Sequence, residues 1–305
     1  MTAAVLVVAV LAAGALAIVP LTIAQPAGAV VRPLLIIGSE RTGSNYLCDL
    51  LNTHPQIAAY YEIFSNVGIM MRDSEVKALC EMQNWPFSGS RYDRDLISRF
   101  KDRPDRIIQL LEGGLPAGKE ILSFKVFQNH LPSEKLIQLI QDYDVIAVTR
   151  RVIDSYISFV KATETDEWLR LDTTRIQPAL HIDNFVDWYS QRHAHYKLGA
   201  EHYTKTHHRA IPILRYEEFT RGSNLENLTF VCEKIASSMG IELDNSLGTS
   251  DMKFKFGFSK QDKNASVMDK VANWVEFEQQ LQERGLLEIA ADSFLGPFES
   301  LYSSS

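Results

Sequence analysis

Short apolar runs alternate along the chain with longer segments in which apolar residues recur every three or four positions. The short runs predict strands at residues 33–37, 57–60, 121–127, 144–149 and 211–216. The longer period predicts helices at 44–53, 133–141, 151–168, 181–205, 224–239 and 269–283, and helical segments between 73 and 112 with breaks near Pro86 and Pro104. Strands that alternate with helices predict an α/β fold, a parallel sheet with helices on both faces. Ligands of such sheets bind at the carboxyl ends of the strands.

The first thirty residues differ from the rest of the chain. Residues 3–24 contain no charge and consist mostly of Ala, Val, Leu and Ile. This length matches the roughly 20 residues that cross a bilayer, and it predicts a transmembrane helix and membrane contact. A cleaved signal peptide is an alternative, although no basic residue occurs before Arg32, and a soluble extension is a third. We therefore expect a membrane-anchored, a secretory or periplasmic, or a cytoplasmic protein, divided into segments 1–31 and 32–305.

Composition narrows the classes of function. The 305 residues are 46% hydrophobic and 23% charged, which suffices for a full α/β core. The net charge of −7 argues against a nucleic-acid binder. Cys48, Cys80 and Cys232 are far apart and lack metal-binding spacing, so we expect buried thiols and neither a disulfide nor a metal. The histidines between 193 and 208 lack an HExxH pattern and predict a polar helix face.

The turn between the first strand and the first helix predicts an anion site. It reads Gly38-Ser39-Glu40-Arg41-Thr42-Gly43-Ser44-Asn45. Backbone N–H groups at a helix start converge on one point, and the helix dipole adds positive charge there. Thr42 and Ser44 can donate hydrogen bonds, and Gly43 allows close approach. Because Ser-Asn replaces the Lys-Ser/Thr of a nucleotide-triphosphate loop, a magnesium-triphosphate site is disfavoured; an ordinary capped turn is the alternative.

A second junction, "DVIAVTRRVIDSYISFVKA" (144–162), repeats this arrangement. Arg150, Asp154 and Ser158 are spaced four residues apart, so one helix face continues from the arginine at the strand end. Together the two junctions resemble the nucleotide-binding elements of sulfotransferases that use 3′-phosphoadenosine 5′-phosphosulfate. "SERTGSNYL" is similar to the 5′-phosphosulfate loop, in the Arg-Thr-Gly-Ser version of bacterial carbohydrate sulfotransferases. Arg150 and Ser158 match the spacing of the family's 3′-phosphate element.

Further segments resemble the family in the same order, over roughly residues 32–285. They are "THPQIAAYYEIF" after the loop, "LSFKVFQNHLP" as the third strand, "ILRYEEF" as the Tyr-Glu-Asp-Leu strand, and "FSKQDKNASVMDKVANW" as the late loop over the nucleotide. Three departures occur. Arg41 stands where many members have Lys, Asn45 replaces a hydroxyl, and the late loop reads Ser-Lys-Gln instead of Arg-Lys-Gly.

The resemblance implies a P-loop-like sulfotransferase fold and transfer of a sulfuryl group from the donor to an acceptor hydroxyl. The migrating group bears one negative charge, so Arg41, backbone N–H groups and hydroxyls can neutralise it without a metal. The implied donor-binding residues are Arg41, Thr42, Gly43, Ser44, Asn45, Tyr46, Lys125, Arg150, Ser158, Tyr216, Lys260 and Gln261. Tyr46 is expected to stack on the adenine or to pack in the core. Lys125, among apolar residues, is expected to contact a phosphate or sulfate, or else a carboxylate.

The acceptor hydroxyl needs a base to take its proton. The resemblance implies that Arg41 belongs to the same catalytic site as this base. Glu62 is the first candidate for the base and His130 the second. The expected acceptor is a carbohydrate or glycolipid hydroxyl, or a phenol, bordered by residues 168–189. Two alternative functions stay open from the sequence: a P-loop nucleotide kinase, and a non-catalytic, membrane-tethered nucleotide or glycan binder.

Overall fold

The computed structural model describes residues 31–168, 171–244, 262–264 and 266–296, together with the backbone of two short strands nearer the N-terminus. The strands are β1 Val7–Val10, β2 Ala17–Pro20, β3 Arg32–Ile37, β4 Ile57–Ala59, β5 Ile121–Val126, β6 Asp144–Thr149 and β7 Ile213–Arg215. The helices are α1 Ser44–Thr53, α2 Asp73–Gln83, α3 Arg94–Asp102, α4 Pro104–Gly113, α5 Ser133–Asp142, α6 Val152–Thr165, α7 Ile182–His207, α8 Asn224–Met239, α9 Trp274–Glu283 and α10 Leu287–Ala291.

Five strands form one parallel sheet in the order β4-β5-β3-β6-β7. Side chains of the central strand β3 alternate between the two faces, as the pleat requires. Leu34 and Ile36 join the apolar cluster formed with α1 and α8, whereas Leu35 and Ile37 join the cluster formed with α5, α6 and α7. The predicted α/β fold, a parallel sheet with helices on both faces, is confirmed.

The position of the site follows from where the chain goes after the neighbouring strands β3 and β6. These strands are neighbours in the sheet, yet α1, which follows β3, packs on one face and α6, which follows β6, packs on the other. The loops after the two strands therefore diverge and leave a crevice between them. In open α/β sheets ligands bind at such a switch point.

The N-terminal strands lie inside the segment that the sequence predicts to cross a membrane. β1 pairs with β2 in antiparallel register, so the backbone described there is extended and not helical. Among the helices of the described residues, none has the length and apolar character needed to span a bilayer. The predicted transmembrane helix thus finds no support there. The choice among anchor, cleaved signal and soluble extension stays a prediction.

Element boundaries differ from the predictions mainly where turns intervene. The predicted helical region from 73 to 112 contains three helices, and Asn84, with φ of 52°, ends the first of them. Asp93 caps the second by accepting hydrogen bonds from two backbone N–H groups. Ser133 is the first residue of its helix and not its cap, because Pro132 occupies the cap position. The predicted final helix begins with a short 3-10 turn, Met268–Lys270, before α9, and α10 was not predicted.

Candidate functional site

The two turns predicted to bind an anion contact each other directly. Arg150 Nη1 donates a hydrogen bond of 3.1 Å to the carbonyl oxygen of Arg41. Arg41 Nε donates in turn to Ser158 Oγ at 2.9 Å, and its Nη1 donates to the carbonyl oxygen of Trp168 at 2.8 Å. The loop after β3 and the first turns of α6 therefore form one continuous surface.

The turn after β3 owes its shape to backbone conformations that few residues adopt. Arg41 and Gly43 have φ values of 68° and 79°, in the left-handed region. A Cβ atom on Gly43 would lie 2.3 Å from the ring of Tyr216, so only glycine fits there. Thr42 Oγ1 donates to the carbonyl oxygen of Ser39 at 2.8 Å. The hydroxyl of Thr42 thus stabilises the turn from within.

Most of the residues predicted for the site line one cavity of about 1220 Å³ at the carboxyl ends of the strands. They are Arg41, Gly43, Ser44, Asn45, Tyr46, Glu62, His130, Arg150, Ser158 and Tyr216. Thr42 and Lys125 are buried behind its wall. Lys260 and Gln261, predicted for the late loop, lie outside the described residues. Of the predicted acceptor border 168–189, Trp168 lines this cavity.

Arg41 and Arg150 are two of the cationic side chains that line the cavity. Burial and the neighbouring charge of Arg150 lower the pKa of Arg41 to about 10, so Arg41 stays charged at neutral pH. The guanidinium of Arg150 lies over the Tyr216 ring, 4.5 Å from its centre. Arg150 Nε is buried and has no hydrogen-bond partner among the described residues. A buried donor beside a cavity is costly unless something accepts its hydrogen, which suits a ligand with anionic oxygens.

Asp154, one helical turn beyond Arg150, is held by other cations. Lys270 Nζ donates to its Oδ1 at 2.8 Å, and Arg151 Nε donates to its Oδ2 at 2.6 Å. Burial by itself raises the pKa of Asp154, but Arg150, Lys270 and Arg151 together keep that pKa below its ordinary value. Asp154 is therefore an ionised carboxylate that is already paired.

A buried lysine connects the turn to the predicted base. Lys125, at the end of β5, has no exposed surface, and its Nζ lies 2.9 Å from Glu62 Oε1. The same Nζ lies 3.3 Å from Ser44 Oγ and also contacts Asn45 Oδ1. The sequence left two kinds of partner open for Lys125, a phosphate or sulfate and a carboxylate. In the structure its partner is the carboxylate of Glu62. The Glu62 side chain keeps 21% of its surface exposed at the cavity.

His130 lies on the same wall in an apolar setting. Its Nδ1 accepts a hydrogen bond of 3.1 Å from the backbone N–H of Phe127, and its ring stacks on the Phe127 ring. Burial, together with the charges of His195 and Lys125, lowers the pKa of His130 to about 3. The imidazole is therefore neutral at physiological pH. With Nδ1 as acceptor, Nε2 carries the hydrogen.

Tyr46 combines the two roles that the sequence left open. Its ring stacks on Phe219 with an interplanar angle of 11°, on the core side, while the residue also lines the cavity. Its hydroxyl donates to Asn224 Oδ1 at 3.1 Å and accepts from Asn227 Nδ2 at 3.0 Å. The start of α8 thus holds the Tyr46 ring in place at the cavity wall.

Several site residues were not predicted from the sequence. Glu40 accepts hydrogen bonds from Arg192 and Gln128, and Arg192 is itself buried between aromatic rings. Lys270 reaches the cavity from a segment far along the chain. Glu40 lies inside the quoted turn and could have been considered. Lys270 lies inside the late segment 258–274 that resembles the family, so it could also have been considered. Arg192 carries no motif, and only the packing of α7 brings it to Glu40.

Within the described residues, no group of His, Cys, Asp or Glu side chains is arranged to hold a metal ion. The cavity instead offers guanidinium, ammonium, hydroxyl and amide groups. Groups of these types bind phosphate and sulfate through charge-assisted hydrogen bonds.

Comparison with known proteins gives partial matches. No family model matches the chain. The chain is 27% identical over 154 residues to nodulation protein H of Rhizobium tropici. This match covers 48% of the chain and 52% of that protein. It is 25% identical over 153 residues to nodulation protein H of Rhizobium meliloti, which covers 48% of this chain and 54% of that protein. The chain spans about half the length of the curated relatives it matches.

Among solved structures, the chain is similar to that of mouse sulfotransferase SULT7A1 complexed with PAP. The identity is 12%, the TM-score is 0.38, and the match covers 84% of this chain and 82% of that chain.

Proposed function

We propose that this protein is a sulfotransferase that moves the sulfuryl group of 3′-phosphoadenosine 5′-phosphosulfate to a hydroxyl of a carbohydrate or glycolipid. One observation carries the proposal. Two arginine-bearing turns, at the carboxyl ends of adjacent strands, face one cavity and are joined by the hydrogen bond between Arg41 and Ser158. The order of the sequence motifs and the similarity to the curated relatives support it.

In this proposal the donor lies across the crevice between β3 and β6. The backbone N–H groups at the start of α1, with Ser44, bind the 5′-phosphosulfate, as helix N-termini bind anions. Arg150 and Ser158 bind the 3′-phosphate, and Arg150 Nε is a buried donor available for it. Tyr46 and Tyr216 border the adenosine.

Glu62 acts as the base. Its carboxylate takes the proton of the acceptor hydroxyl while the hydroxyl oxygen forms a bond to sulfur. The bond between sulfur and the bridging phosphate oxygen breaks, and adenosine 3′,5′-bisphosphate leaves. Lys125 lies between Glu62 and Ser44, so its charge can stabilise the leaving phosphate and hold the base in position.

His130 is less suited to this role. A neutral histidine whose Nδ1 already accepts a backbone hydrogen bond has no free lone pair for the acceptor proton, and its pKa of about 3 makes it a weak base. His130 can instead donate from Nε2 to an oxygen of the acceptor or donor. The proton therefore goes to Glu62.

The acceptor belongs to the part of the cavity beyond Glu62. Polar and apolar side chains line it there, among them Ser65, Asn66, Met70, Arg91 and Gln128. This mixture fits a sugar, which presents hydroxyls at its edges and C–H groups on its faces. The apolar residues 3–24 would bring the enzyme to a membrane that carries a glycolipid acceptor; the sequence pattern supports this part of the proposal.

Calorimetry on the full chain tests the donor. Adenosine 3′,5′-bisphosphate should bind in the presence of EDTA, and ATP and GTP should bind at least tenfold more weakly with or without magnesium. Tight binding of a triphosphate with magnesium would favour a nucleotide kinase. Transfer of labelled sulfate from the donor onto oligosaccharides and glycolipids then tests catalysis. Bisphosphate binding without any transfer would favour the non-catalytic binder.

A further inference from the structure

A second cavity, of about 650 Å³, lies beside the first. The two cavities share Asn66 and Asn129 as lining residues, and Asn66 Nδ2 donates to the carbonyl oxygen of Asn129 at 2.7 Å. These two residues border both cavities, and we call the pair the ridge. Because Asn66 is only four residues beyond Glu62, the ridge begins next to the proposed base.

One face of α3 forms a wall of the second cavity. Arg94, Ile97, Ser98 and Lys101 recur at helical spacing and all line it. Asp93 caps this helix by accepting hydrogen bonds from Asp95 N at 2.9 Å and Leu96 N at 3.1 Å. Leu96 and Phe100 anchor its opposite side in the core. The cations are therefore presented from a fixed helix.

The charges around the second cavity are mostly positive. Arg94 is exposed, and among the residues that the structure describes it has no hydrogen-bond or ion-pair partner. Lys101 Nζ contacts Asn66 Oδ1 on the ridge, and burial lowers the pKa of Lys101. Asp102 is the single acid in the lining, and Lys135 Nζ contacts its carbonyl oxygen. Arg91 is a further cation in the lining of the first cavity.

We infer that the second cavity is a subsite for an acidic portion of the acceptor, and that the acceptor is an extended glycan carrying carboxylate or phosphate groups. The inference rests on the proposed function, because it names the acceptor of that reaction. A sugar chain whose reacting hydroxyl lies at Glu62 continues over the ridge of Asn66 and Asn129. Its anionic groups then meet Arg94 and Lys101, which form charge-assisted hydrogen bonds with them.

The spacing of the cations fits such a chain. Arg94 and Lys101 are seven residues apart on one helix face, which corresponds to about 10 Å along the axis. This separation is comparable with the length of a disaccharide unit. A glycan with an acid on every second sugar would therefore place successive acids near the two cations.

The test compares an acidic and a neutral tetrasaccharide. The full chain, saturated with adenosine 3′,5′-bisphosphate, is titrated by calorimetry with a hyaluronan tetrasaccharide, in which glucuronate alternates with N-acetylglucosamine, and with chitotetraose, which is uncharged. We expect the acidic sugar to bind at least tenfold more tightly at low ionic strength. The difference should shrink as salt is added, because the cations are near the surface.

Two charge reversals on α3 make the test local. Arg94→Glu should abolish the preference for the acidic sugar; it adds an acid to the first turn of the helix, where the dipole favours one, so the fold is retained. Arg99→Glu makes the same charge change on the same helix, at an exposed position outside both cavities, and should keep the preference. Bisphosphate affinity should be unchanged in both variants.

Equal binding of the two sugars, or no binding of either, overturns the inference. So does an equal effect of the two charge reversals, which would indicate a general field and no subsite. Bisphosphate affinity is measured first and separately. If bisphosphate fails to bind, the proposed function is wrong, whatever the sugars do, so the two failures are distinguished by different ligands.

Discussion

Arg41 and Ser158, which the sequence motifs assign to opposite ends of the donor, are joined by a hydrogen bond of 2.9 Å from Nε to Oγ. One residue belongs to the turn after β3 and the other to the second turn of α6. Because Arg150 also donates to the backbone carbonyl oxygen of Arg41, the three residues form one connected group. We expect substitutions in this group to affect binding of the whole nucleotide and not of one phosphate alone.

Arg150→Ala should lower the affinity for adenosine 3′,5′-bisphosphate by about 10- to 100-fold, since hydrogen bonds to charged groups contribute about 1.5–3 kcal/mol. Calorimetry with EDTA present measures the change. Arg151→Ala is the matched control, because it removes the neighbouring arginine, whose guanidinium pairs with Asp154 and does not line the cavity. Unchanged affinity in Arg150→Ala would remove this residue from the 3′-phosphate site.

Glu62→Gln should reduce turnover by about 10²- to 10⁴-fold, the usual contribution of a general base, with bisphosphate affinity nearly intact. Glutamine keeps an oxygen for Lys125, so the effect is chemical rather than structural. Steady-state sulfate transfer with a saturating donor measures it. His130→Gln is the companion variant and should retain most of the activity. The reverse outcome, an active Glu62→Gln and an inactive His130→Gln, would transfer the role of base to His130.

Gly43→Ala should destabilise the protein and weaken nucleotide binding. The new Cβ would lie 2.3 Å from the ring of Tyr216, which is a clash, and the alanine backbone would have to keep a φ of 79°. Gly118→Ala is the control, because Gly118 has φ of 86° but nothing within 4 Å of an added Cβ. Urea unfolding should show a cost of about 1 kcal/mol for Gly118→Ala, from backbone strain alone, and a larger one for Gly43→Ala. Equal costs would mean that Tyr216 moves aside freely.

His130 makes stability depend on pH in the acidic range. Its pKa is about 3 in the folded protein and 6.5 ordinarily, so the unfolded chain binds the additional proton between those values. The contribution of His130 to the free energy of unfolding is therefore complete above pH 6.5, and it decreases as the pH falls toward 3. His130→Gln should reduce the slope by up to about 1.4 kcal/mol per pH unit in that range.

Urea unfolding from pH 4 to 7 measures this slope. His181→Gln, which replaces an exposed histidine, controls for the loss of an imidazole as such. A slope that is identical in the wild type and in His130→Gln would show that the folded protein protonates His130 as readily as the unfolded chain does. The expected difference would then be wrong.

The sequence by itself determined the α/β class, the strand order along the chain and the two junctions that bear Arg41 and Arg150. Local signals suffice for these features. Apolar runs specify buried strands, glycine specifies a turn with positive φ, and in a parallel sheet every strand-to-helix turn lies at the same edge. Most of the predicted site residues therefore share one cavity, although they come from distant parts of the chain.

Only the tertiary structure decided which partner each polar side chain has. Lys125 pairs with Glu62, Thr42 turns inward to Ser39, and Glu40 binds Arg192 of α7. It also decided that one face of α3 lines the second cavity. These contacts depend on how helices far apart in sequence pack on the sheet, and no periodicity or short motif encodes that. A charged group next to a cavity takes its pKa and its role from those neighbours, because burial and nearby charges act through space and not along the chain.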